Sequence, residues 1–137
     1  MPRLALVLIL LAALISIFFG LRYLLARQFM PYHAVVAGKQ WTDLDSGVRT
    51  VILGMQRILG GGFIAYGVAL LWLLLPLSLK APWASWAVLT VTLPATFPAL
   101  YVTIALRRVA PSARTPVVPA AVVVALALVG AGLSLLT

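Results

Sequence analysis

The chain of 137 residues contains no cysteine and no glutamate; its only acids are Asp43 and Asp45, and its only histidine is His33. Without a thiol there is no disulfide, no thiolate nucleophile and no cysteine-ligated metal or iron–sulfur cluster, which excludes disulfide-exchange chemistry. Charge is also scarce. Side chains of either sign make up 9% of the chain, against about 25% in soluble domains, so an ordinary water-soluble globule is excluded. What fills the sequence instead is hydrocarbon: 64% of residues are hydrophobic and the mean hydropathy is +1.17. Intrinsic disorder, which requires low hydrophobicity, is excluded by the same figures.

Four apolar runs reach the roughly 20 residues that a helix needs to cross the hydrocarbon core. They lie at about 4–25, 58–79, 83–106 and 119–137, separated by polar loops at about 26–57 and 107–118. Each run is too long and too uniform for an amphipathic soluble helix, and a membrane strand would instead alternate over about ten residues. The expected fold is an all-α membrane protein, a single domain of four transmembrane helices in an antiparallel bundle. The first run continues past the length of a signal-peptide core and ends in Arg22 and Arg27. It is therefore expected to stay as a span.

Positive charge sets the orientation, because Lys and Arg in short loops are retained on the cytoplasmic side. Arg22, Arg27, Lys39, Arg49, Arg57, Arg107, Arg108 and Arg114 fall on one side, and Arg3 and Lys80 on the other. Both termini are thus expected outside and the long loops in the cytoplasm. Arg22, Arg27, Arg49, Arg57, Arg107 and Arg108 are candidates for contact with anionic phospholipid headgroups. Arg-heavy, Lys-poor, Ala-rich and Leu-rich usage looks like that of a bacterial source of high genomic GC, and an inner membrane is the expected location. Trp83, Trp86, Tyr23 and Tyr101 are placed to anchor span ends at the interface, whereas the ring polar atoms of Tyr66 and Trp72 are expected to meet a neighbouring helix.

Membrane helices associate through close backbone approach, so small residues mark their seams. Gly61, Ala65 and Ala69 recur every four residues in the second span, and Ala127 and Ala131 form a pair in the fourth. These two spans are expected to supply the closest contacts. The run of glycines from Gly54 to Gly67 implies either a bend at Gly60–Gly62 or a neighbour pressed against bare backbone. Pro94 and Pro98 each remove a hydrogen bond from the third span, which is expected to kink or unwind. Thr92, Thr96 and Thr103 share a face there and could satisfy carbonyls or line a pore.

The segment 26–57 carries most of the polar chemistry. Pro31 stops the first helix near Met30. Thr42 and Asp45 read as a capping box, and Asp45 precedes Arg49 by the four residues that favour an ion pair. A helix starting there carries the apolar stripe Val48, Val51, Ile52, Met55 and Leu59 as an amphipathic cytoplasmic lead-in to the second span. His33, Asp43 and Asp45 form the one polar cluster that could suggest a metal or acid–base site. Their spacing fits neither a calcium loop nor a zinc site, so the aspartates are read as helix caps and His33 as a headgroup-level residue.

No cofactor, metal or nucleic-acid partner is expected; the cations are already committed to topology. The favoured function is a small non-enzymatic membrane protein that acts as an accessory, scaffold or assembly component, with lipid and a second copy or another membrane protein as partners. The alternative is a minimal oligomeric transporter or channel built on Thr92, Pro94, Thr96 and Pro98. Its size is similar to that of small multidrug exporters and dual-topology fluoride channels, but there is no intramembrane carboxylate to carry a proton, and the one-sided charge opposes dual topology. A lipid enzyme with His33 as base and Arg27, Arg49 and Arg57 holding phosphate has residue types in its favour and no motif.

Overall fold

The computed structural model describes residues 2–136. Among them there are five α-helices and no strand: α1 (Pro2–Leu24), α2 (Pro31–Ala37), α3 (Ser46–Ser78), α4 (Ala84–Val109) and α5 (Val117–Leu135), with a 3-10 turn at Trp41–Asp43. The four long helices, α1, α3, α4 and α5, are each long and apolar enough to cross a membrane, and the architecture is that of a multi-pass membrane protein. α3 has 33 residues, ~50 Å of helix against ~30 Å of hydrocarbon. The lead-in and the second span are therefore one continuous rod.

Asp45 starts that rod. Its Oδ1 accepts from the backbone N–H of Val48 at 2.9 Å, which satisfies one of the free donors of the first turn. The capping box forms two residues upstream of the expected one, between Gln40 and Asp43 around the 3-10 turn. Arg49 donates to the Thr42 carbonyl at 2.6 Å and lies 6.0 Å from the Trp41 ring centroid; it does not pair with Asp45. α1 ends at Leu24, well before Pro31, and Pro31 opens α2 rather than closing α1. Its fixed φ and missing N–H suit the first position of a helix.

The long helices form a ring in which α1 packs on α3 and α5, and α4 packs on α5 and α3. Each neighbour runs antiparallel. α3 and α5 do supply the close contacts, but to α1 and not to each other: they sit diagonally and α1 fills the position between them. Gly60 and Gly67 lie against α1, seven residues apart, facing Gly20 and Ala13. A Cβ added to Gly60 would stand 2.6 Å from the Leu24 nitrogen and 2.7 Å from the Gly20 carbonyl, and one added to Gly67 would meet the Ala13 carbonyl at 2.7 Å. Gly61 faces open space, Ala65 is exposed and Ala69 is only half-buried, so these three line the outside of that contact. Ala127 and Ala131 are fully buried, beside Gly130, whose missing side chain admits Ile9 and the Ala5 carbonyl of α1.

Helix α3 runs without interruption through Gly60–Gly62, and the backbone pressed against it is that of α1. α4 is likewise continuous through Pro94 and Pro98, so of the expected kink or unwinding the second does not occur. Each proline costs one ladder bond, whereas unwinding in lipid would expose several unpaired groups. Both prolines are exposed while Thr92, Thr96 and Thr103 are buried.

Because Gly60 touches backbone and Gly61 touches nothing, Gly60→Leu is expected to cost at least the 1–3 kcal/mol typical of overpacking and Gly61→Leu much less. Unfolding in detergent micelles measures both; equal losses would place the seam elsewhere.

Candidate functional site: a cleft between α3 and α4

From their shared turn, α3 and α4 stay together as far as a hydrogen bond between the hydroxyls of Tyr66 and Thr92, 3.0 Å apart. Beyond it, toward the cationic end, residues of both helices line a cavity of about 580 Å³. That is within the range of ~300–1,000 Å³ usual for small-molecule sites. Its inner wall comes from α1 and α5, with Ser16, Phe19 and Val123 among the lining residues, and α2 closes the cationic end through Tyr32 and His33. Met55 and Leu59 of α3 and Pro98 and Val102 of α4 line it as well and are exposed at the surface. The mouth therefore opens sideways between α3 and α4.

The lining is hydrocarbon apart from hydroxyls, one amide and one imidazole, and it holds no Asp, Glu, Lys or Arg. The deep hydroxyls are spent on their own helices: Ser16 donates to the Ala12 carbonyl at 2.8 Å, Thr96 to that of Thr92 at 2.8 Å and Thr103 to that of Leu100 at 2.9 Å. At the cationic end Tyr23 and Tyr32 share a hydroxyl hydrogen bond, and burial together with that bond pushes the Tyr32 phenol upward. Tyr23 is buried in this pair instead of anchoring at the interface. Gln56 is only 5% exposed; its Nε2 donates to the Gln28 carbonyl at 3.3 Å, and its Oε1 is shut off from water without a partner.

The burial of the lead-in thus centres on Gln56 and not on the expected apolar stripe. Val48, Val51 and Met55 of that stripe are exposed, Met55 by 67%, and Ile52 lines the cleft. The buried side of the lead-in faces the 26–30 backbone, whose Gln28 carbonyl needs a donor that no aliphatic side chain supplies. Tyr66 meets a neighbouring helix as expected, but Trp72 is 79% exposed and points away from the bundle.

The polar cluster is not brought together. His33 packs edge-on against Phe29 and Tyr32, with ring centroids 6.0 and 4.2 Å apart, whereas Asp43 caps the 3-10 turn and Asp45 caps α3. Among the described residues no group of three or more His, Asp or Glu is placed to hold a metal. The arginines Arg22, Arg27, Arg57, Arg107 and Arg108 are exposed around the cationic end and none lines the cleft. His33 does line it, and no sequence signal singled out Gln56, Tyr32 or the aromatic residues beside them.

No family model matches the sequence, and no curated protein or solved structure matches the chain.

Burial holds the His33 imidazole below its ordinary pKa, so the fold favours the neutral ring. That stabilisation is complete above about pH 6.5, where the unfolded chain is also neutral, and is lost as pH falls from there through the folded pKa. The unfolding midpoint is expected to drop on acidification through this window, and the drop to be shallower in His33→Phe. Identical pH profiles for the two proteins would show that the ring titrates normally.

Proposed function

We propose that the chain is a non-enzymatic multi-pass protein of a bacterial inner membrane that takes one membrane amphiphile into the cleft between α3 and α4 and works as an accessory or scaffold component. The observation that carries this reading is the sideways mouth. An apolar cavity of about 580 Å³ that opens at the flank of an apolar helix bundle is continuous with hydrocarbon and is filled most cheaply by a lipid chain. Its lining holds no carboxylate, and its deep serine and threonine hydroxyls are committed to carbonyls of their own helices.

The reading places the cationic end in the cytoplasm and both termini outside, by the eight-to-two distribution of Lys and Arg. There the exposed arginines attract anionic headgroups at about 1 kcal/mol each. Gly61 and Ala65, directed away from the bundle, leave that side of α3 thin enough for a second copy or another membrane protein to approach. A pore is less well supported. Thr92, Thr96 and Thr103 spend their hydroxyls within the bundle, and the hydrocarbon lining gives an ion nothing to replace its water.

Ala99 lines the cleft from α4, so Ala99→Trp fills the cavity with side chain. Native mass spectrometry from mild detergent is expected to find a retained amphiphile on the wild type and none on the variant at equal folded yield. Retention by both would overturn the cleft as the site. A C-terminal reporter active only in the cytoplasm is expected to stay silent; robust signal would reverse the orientation.

A further inference from the structure

The two ends of the cleft are chemically unlike, and the difference bears on what its occupant carries. Gln56 and Tyr66 both line it from α3, and the ten residues between them span ~15 Å of helix. At the Tyr66 end every hydroxyl already has a partner. At the α2 end two polar groups do not. The His33 ring packs edge-on against the Phe29 and Tyr32 rings, and neither ring nitrogen is hydrogen-bonded within the described residues. A neutral imidazole offers one donor and one acceptor, and burial favours that neutral form here. Gln56 is oriented by its bond to the Gln28 carbonyl, which accepts only and so must face Nε2; the amide oxygen is left as an unpaired acceptor. Meeting a donor in the cleft takes a rotation of the amide that gives up this bond, which at 3.3 Å is a long one.

The Gln56 oxygen requires a donor, which a carboxylate or phosphate diester lacks; a hydroxyl donates to that oxygen and accepts from the imidazole N–H. Charge is disfavoured independently, because no Lys, Arg, Asp or Glu lines the cleft and an ionised head would be desolvated there without a counter-ion.

Building on the cleft reading above, we infer that the site selects an uncharged lipid alcohol, with its hydroxyl between His33 and Gln56 and its chain running along α3 and α4 toward Tyr66. His33 and Gln56 are the specificity-determining residues, and the arginines outside the mouth hold bulk headgroups and not this ligand.

The test is photo-crosslinking of the full chain in phosphatidylethanolamine–phosphatidylglycerol vesicles with a diazirine-bearing tetradecanol, and labelled residues are located by mass spectrometry. Unlabelled tetradecanol, tetradecanoate and tetradecyl phosphate serve as competitors. Label is expected on cleft residues of α3 and α4, with tetradecanol competing about tenfold better than either anion, the ratio that one or two satisfied hydrogen bonds confer. His33→Leu and Gln56→Leu should each erase most of that preference, and His33→Asn, which keeps a donor and an acceptor, should restore part of it. Label in the cleft with equal competition by all three heads, or unchanged selectivity in both leucine variants, overturns the alcohol assignment alone. Label that avoids the cleft, or that Ala99→Trp leaves unchanged, overturns the cleft reading as well.

Discussion

The contact of bare backbone between α1 and α3 is the constraint from which the rest of the bundle follows. Lipid is as apolar as leucine, so burying Ile or Leu between helices gains little from solvent; dispersion at short range must hold the helices. Gly20 against Gly60, and Ala13 against Gly67, bring the two backbones close enough for Ile17 and Ile64 to interlock beside them. With α3 drawn onto α1, and α5 drawn onto the other side of α1 at Gly130, α4 is left to close the ring from outside. It meets α5 along more of its length than it meets α3. The cleft lies where the Tyr66–Thr92 bond stops holding α3 and α4 together.

The polar groups of the spans divide by the same logic. In a medium without water each hydroxyl must be satisfied by protein, and the threonines of α4 turn back on their own helix or reach Tyr66. The proline pair is tolerated because it is exposed and removes only two donors from a long ladder. At the α2 end the polar groups lie beside a short helix that packs through aromatic contacts among Phe29, Tyr32, His33 and Trp41. It is there that an imidazole and an amide oxygen have no hydrogen-bond partner among the described residues.

Residues with the same local signature took opposite roles here. Gly61 and Gly60 are neighbours in one glycine run, yet one faces open space and the other a helix backbone. Trp72 and Tyr66 are both mid-span aromatics; one points out of the bundle and the other is buried against Thr92. Small-residue periodicity identifies helices that could pack, and in a run such as Gly60–Gly62 it is satisfied on more than one face. Gln56 was hidden for a related reason: a lone amide in an apolar stripe carries no periodic signal, and its partner is a loop carbonyl 28 positions away.

Local chemistry was enough to determine the four apolar helices, the cationic end, the start of α3 to within a turn of Asp45 and the shared face of the α4 threonines. Each depends on hydrophobicity, charge or capping within a few turns, and such terms act whatever the neighbours do. The tertiary structure alone decided that α1 is the hub, that α3 and α4 diverge, and that His33, Tyr23, Tyr32 and Gln56 meet at one end of a cavity. Those outcomes depend on which of several equivalent small faces finds a partner at backbone distance, a choice made by shape complementarity between helices far apart in the chain.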